Sequence, residues 1–416
     1  PLYSSAASDV YKRQANMLAM NQKSAGATWA SGWGALETRD PREAARIIAG
    51  EAALPFIPQL INRGVGSSLS GSTLSLLSSS YVQGPRSWQM SGPTVASRRR
   101  NDEIHRDIDV YEEAWEGGSA LSSQEIKVQV MGPWSLAVAT ELSDGHRIVS
   151  DRSAVRGFHD EWSGGVAEYL SEIHRRFGKR IVLHIEEPYV GTLVRGRIAG
   201  TTDWDIIPPV HNDILSTEWD RTIGGVFDEL GGVTTDDASH GVVTGVVMSC
   251  GASLPDDLEM PAWAMPLIGL DELERAAADG SSTHHMLDRV GELIDADGRS
   301  MVIGVAGDNG AAGDAAGIVR GATADGAGAR AGGDTGDHDR DQAIVTTAYA
   351  SEDPARDRAV RIARVWKAMG INPILMGERV SIVEGHGRRG WEQSTAESLR
   401  LADDVRDMLR RDSGDL

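Results

Sequence analysis

Gly241-Val-Val-Thr-Gly-Val-Val-Met-Ser-Cys250-Gly251 is the stretch whose reading decides the fold. It is almost continuously apolar, rich in β-branched residues and free of polar alternation. That pattern marks a strand buried on both faces, as in a parallel sheet covered by helices. The run stops at Ser249-Cys250-Gly251, so the chain's one cysteine falls just past the C-terminal end of the strand. In α/β folds active sites are built at that end. A thiol there is either a small buried hydrophobe or a nucleophile or metal ligand, and its position alone leaves the choice open.

Working outward, strand and helix signals alternate. Further strands are expected near 27–31, at Ile126–Met131 before Gly132-Pro133, and at Arg180–Ile185 before Glu186-Glu187-Pro188. Others are expected at Met265–Leu270, Ser300–Val305 and Arg379–Val383. Between them the spacing predicts helices from Pro41, capped by Asp40, to about Glu51, then over Asp102–Glu116, Ala154–Phe177 and Leu215–Leu230. Three more are predicted from Asp271, over Ala355–Met369 and over Ser394–Arg410. Gly64–Ser80, rich in Ser and Gly, reads as a loop. This alternation implies a parallel sheet, and about eight strands predict an α/β fold of the (β/α)8 TIM barrel type. A doubly wound open sheet is the competing architecture.

Two segments stand outside that reading. Ala306–Gln342 is dominated by Gly, Ala and Asp and is expected to be a disordered insertion after the seventh strand. Residues 1–22 are expected to be a disordered N-terminal segment, and Pro1–Gln14 (PLYSSAASDVYKRQ) resembles a translated sequencing-adapter artefact. Residues 23–416 are read as one barrel domain.

The 416 residues carry a formal charge of −20, which disfavours nucleic acid and anionic membranes as partners. No apolar run is long enough to span a membrane. A single cysteine excludes an intrachain disulfide framework and fits a reducing cytoplasm.

Four strand ends carry candidate chemistry. Adjacent carboxylates at Glu186-Glu187 are costly in a buried position unless paired or functional. Gly132-Pro133-Trp134 makes a sharp turn with Trp134 as an apolar wall, or as a packed core tryptophan. Cys250 is the lone thiol. Glu384-Gly385-His386-Gly387 leaves an imidazole between two glycines. Cys250 and His386 suit zinc, with Asp271 as a third ligand or alternatively as a helix cap. His284-His285 points to different helix faces and is given no role.

Taken in order, a set of motifs resembles the cobalamin-independent methionine synthase family. They are Gly34-Ala35-Leu36 with Asp40-Pro41-Arg42-Glu43-Ala44, Val128-Gln-Val-Met-Gly-Pro-Trp-Ser-Leu136, His184-Ile-Glu-Glu-Pro188, Val246-Val-Met-Ser-Cys250 and Val380-Ser-Ile-Val-Glu-Gly-His-Gly387. More narrowly, the chain is similar to the short single-barrel actinobacterial members related to that family's C-terminal catalytic domain. The resemblance runs from about Thr28 to Leu409. It does not extend to the additional N-terminal domain of the long members, which leaves the methyl donor open.

The resemblance implies a barrel of the uroporphyrinogen decarboxylase and methionine synthase superfamily. It implies a methyltransferase acting on the thiol of homocysteine or a related thiol, with zinc binding the sulfur as a thiolate. Zinc lowers a thiol's pKa, which supplies the nucleophile at neutral pH. Further implied are Glu186, where Asp is usual, as the catalytic carboxylate holding the substrate amino group, and Gly34, Ala35 and Trp134 as substrate contacts. Cys250, His386 and Asp271 are the implied metal ligands. The chain departs from the pattern where Met248 stands for a histidine ligand, His386 for a second cysteine, and Ala35 for a serine. Those departures motivate the alternative of a degenerate barrel that binds without metal. A metal-free superfamily decarboxylase would need an arginine-lined mouth, and no such arginines are evident at the strand ends.

Overall fold

The computed structural model describes residues 28–36, 38–60, 63–116, 122–200, 206–231, 241–251, 258–278, 284–295, 297–305, 353–384 and 395–416. The expected N-terminal segment 1–22, the insertion 306–342 and His386 lie outside the described residues.

Seven strands form the main sheet: β1 Ala30–Gly32, β2 Glu125–Met131, β3 Arg180–Glu186, β4 Val243–Ser249, β5 Ala264–Gly269, β6 Met301–Gly304 and β7 Val380–Glu384. Their order is β1-β7-β6-β5-β4-β3-β2 and every pairing is parallel. Parallel neighbours need long crossovers, which are supplied mainly by helices. Arg152–Phe177 connects β2 to β3, Asn212–Glu229 connects β3 to β4, and Leu270–Ala278 and His284–Asp295 connect β5 to β6. Each expected strand is present, six of them within a residue of the predicted bounds, while the one expected near 27–31 is shorter and covers Ala30–Gly32. Asp40 caps Pro41–Glu51 by accepting the Arg42 N–H (2.9 Å).

The sheet curls. Val182, Val247, Met265, Leu267, Val302 and Val383, from β3 to β7, meet Leu54 in one buried cluster, with Trp29 and Trp33 packed against it. Their sequence neighbours face the other way, into helices: Ile181, Leu183, Ile185, Val246 and Met248 on one side of the molecule, and Met301, Ile303, Val380 and Ile382 on the other. Both faces are therefore covered, which is why these strands read as unbroken apolar runs.

The stretch Leu54–Leu60 touches both ends of the strand order. The Leu54 N–H donates to the Ala30 carbonyl of β1 (2.8 Å), and the Ser31 hydroxyl donates to the Leu54 carbonyl (2.9 Å). On its other side the Lys127 N–H donates to the Pro55 carbonyl (2.8 Å), and the Ile57 N–H donates to the Lys127 carbonyl of β2 (3.0 Å).

The expected loop Gly64–Ser80 is more ordered than its composition implies. Val65–Ser67 forms a 3-10 turn, and Ser68 caps the helix Leu69–Leu74 by accepting the Gly71 N–H. Buried Leu74 and Leu77 anchor it to the core. Among the described residues no helix is long and apolar enough to cross a membrane.

Candidate active site at the strand ends

Within β3 the alternation that aims Val182 at the curled interior also aims His184 and Glu186 there. On β2 the same face carries Lys127 and Gln129, paired in register with Val182 and His184. Glu186 is the centre of this polar row, 5 % exposed at the end of β3. Its Oε1 accepts from the indole Nε1 of Trp33 and from the amide Nε2 of Gln129. Gly34 makes that possible: its φ is +150°, and a Cβ there would overlap Gln129 Oε1. Ala35, the next residue, pairs with Gln59 in a short strand.

Lys127 supports the arrangement from below. It is 1 % exposed, its Nζ donates to the Trp33 carbonyl (2.7 Å), and it lies over the Phe56 ring (5.4 Å). Burial pushes it down to about 7 and the Glu186 charge pulls it back up. The Trp33 N–H donates to the Glu384 carbonyl (2.9 Å), and its ring meets His184 edge-on at 5.8 Å. Trp33 is thus held by its carbonyl, its amide and its indole. Burial, then the Lys127 charge, keeps His184 well below its usual pKa and neutral, with neither ring nitrogen in a hydrogen bond to a described side chain.

Glu187 has a different role from its neighbour. Fully buried, it turns to the helix side and accepts from the Ser135 N–H (2.7 Å), the Trp134 N–H (3.3 Å) and Trp219 Nε1 (2.9 Å). It caps the short helix Pro133–Val138, and a Cβ on Gly132 would sit 2.2 Å from its Cδ. Burial pushes it up to about 7, against the pull of those donors. The two carboxylates that look equivalent in sequence divide into one that faces the curled interior and one that ties β2's turn to β3's. Trp134 goes with Glu187: it is 3 % exposed and edge-on to His159 (4.9 Å), a packed tryptophan and not an apolar wall beside Glu186.

The candidate metal ligands do not come together among the described residues. Cys250 belongs with Met248 to the helix-facing core, its Sγ 3.9 Å from Met260 Sδ. Burial, with Glu187 and Glu272 adding to it, pushes the thiol well up, so it is protonated at neutral pH. Asp271 lies in the first turn of Leu270–Ala278 and is ion-paired with Arg361 (2.7 Å). Among the described residues no group of three His, Cys, Asp or Glu side chains has the arrangement of a metal site.

Trp33 and Lys127 have no role in the sequence reading, and Gln129 and His184 have none beyond their place within the quoted motifs. The available signal was a spacing of two. Lys127 and Gln129, and His184 and Glu186, are polar residues on alternate positions of otherwise apolar strands, which puts them on one face. No protein-family model matches the chain, and no curated protein matches it either.

Proposed function

We propose that the chain is a closed (β/α)8 barrel of the methionine synthase type. It binds an amino-acid thiol, homocysteine or a relative, in its strand-end mouth and transfers a methyl group to the sulfur. The observation that carries the reading is the buried Glu186 carboxylate at the end of β3, positioned by Trp33 and Gln129 in the interior of a curled parallel sheet. A buried carboxylate there suits an ammonium group. Closure is supported by Leu54–Leu60, which is hydrogen-bonded to β1 and β2 as an eighth strand between them would be. The acidic chain favours a small-molecule partner over nucleic acid or membrane, and the single cysteine fits a cytoplasmic setting.

The described residues do not fit a zinc ion, so no step is derived through one. Cys250 faces Met260, and Asp271 is held by Arg361. That observation, with Met248 in place of the histidine, favours a second reading in which the barrel binds the amino acid without metal and without reaction. Expression in a methionine auxotroph supplied with homocysteine separates the two. Growth supports methyl transfer. Absence of growth, with homocysteine still bound by the purified protein, supports the binding role.

A further inference from the structure

Lys127 and Glu186 share the interior face of the curled sheet, yet no ion pair joins them. Trp33 stands between: its carbonyl accepts from the Lys127 Nζ (2.7 Å) and its indole donates to Glu186 Oε1. Besides these two charges, the described side chains that β2 to β7 turn to this face carry only the Glu125–Arg180 pair (3.4 Å) at its foot. β4 to β7 give it Gly, Val, Ser, Met and Leu. His184, the remaining titratable group, is kept neutral by burial and then by the Lys127 charge. Phe56 and Trp33, which pack on Lys127 from the other elements, are uncharged.

A buried ammonium and a buried carboxylate are thus coupled through one tryptophan at more than ion-pair distance. Burial favours the neutral amine at Lys127, the Glu186 charge favours the ammonium, and the two balance at about 7. An ammonium ligand on Glu186 adds a second cation to a region that water screens poorly. Lys127 is the cation able to yield there, because it is fully buried and has no carboxylate of its own among the described residues. A neutral Nζ still carries N–H groups, so its bond to the Trp33 carbonyl survives loss of the proton.

We propose that Lys127 is the internal counter-ion of Glu186, and that an ammonium group docking on Glu186 drives a proton from the Lys127 Nζ to solvent. Binding of an amine in the mouth is then tighter above neutral pH, where that proton has already left, than below it. The inference rests on the reading of Glu186 as an ammonium site.

The probe is n-propylamine, which stays cationic near neutral pH. It lacks homocysteine's thiol, which exchanges a proton of its own, and its carboxylate, which brings an opposite charge. Calorimetric titration into the full chain at pH 7, in buffers of different ionisation enthalpy, counts the protons released. About half a proton per amine bound is expected from the parent and none from Lys127→Met. The parent should also bind about tenfold more tightly at pH 8 than at pH 6, a dependence absent from the variant. A second measurement does not depend on the variant's folding. In the parent labelled at lysine Cε, nuclear magnetic resonance should show Lys127 titrating near 7 alone and well below that with saturating amine. In Glu186→Gln its midpoint should fall by about one pH unit without any ligand. Amine binding without proton loss, or a Lys127 midpoint unchanged in Glu186→Gln, overturns the proposal. Absence of amine binding overturns it too, and L-homocysteine titrated into the parent then tells whether the reading of the mouth falls with it.

Discussion

Glu187 explains why Gly132-Pro133-Trp134-Ser135 and Glu186-Glu187-Pro188 occur in the same chain: its carboxylate is the acceptor for three N–H groups, two of them at the turn after β2. Glu187→Ala would leave all three buried donors without an acceptor and should cost about 3 kcal/mol or more in urea unfolding. Lys127 gives a pH test. Its pKa in the folded chain is depressed from the ordinary 10.5 to about 7. Above pH 7 the folded lysine is neutral while the unfolded one stays charged to about 10.5. The unfolded state then binds more protons, and Lys127's contribution to stability grows as pH rises through that window. Lys127→Met should lack that contribution. Its stability relative to the parent should fall steadily between pH 7.5 and 10 in denaturant titrations, and a pH-independent difference would refute the assignment.

At the scale of elements, the stretch Leu54–Leu60 is the instructive case. Pro55 and Pro58 lack N–H donors, so the segment does not read as an interior strand. Yet the donors it retains are the ones in use: Leu54 toward β1 and Ile57 toward β2, with the Pro55 carbonyl accepting from Lys127. The prolines hid the eighth strand of the proposed barrel, whereas β4, which ends just before Cys250, was plain because both its faces are buried. If Leu54–Leu60 closes the barrel, the Lys127 amide should exchange with solvent hydrogen as slowly as amides in β3 and β4. Exchange at the rate of an open sheet edge would contradict closure. Ile57→Pro removes one donor of this seam and should destabilise by about 3 kcal/mol.

For the molecule as a whole, parallel architecture, strand order in the chain and most helix limits were legible, because continuous apolar strands separated by capped helices leave few alternatives. The candidate site was legible in part. Glu186 was found from its place at a strand end, and Gly34 from its motif. The residues that hold Glu186 come from the loop after β1 and from β2, and their convergence depends on the curl of the sheet. Periodicity in one strand does not report which residues of other strands it will meet. The same limit applies to Cys250: its position after β4 was legible, but its turn toward Met260 was not. The account therefore rests on one carboxylate in one interior and on what it binds. Calorimetric titration of L-homocysteine into the parent and into Glu186→Gln tests it most directly. Saturable binding that weakens by roughly ten- to a hundredfold in the variant, the worth of a charge-assisted contact of about 1.5–3 kcal/mol, is the expected result. Equal affinity in the two proteins, or no binding to the parent, would contradict it.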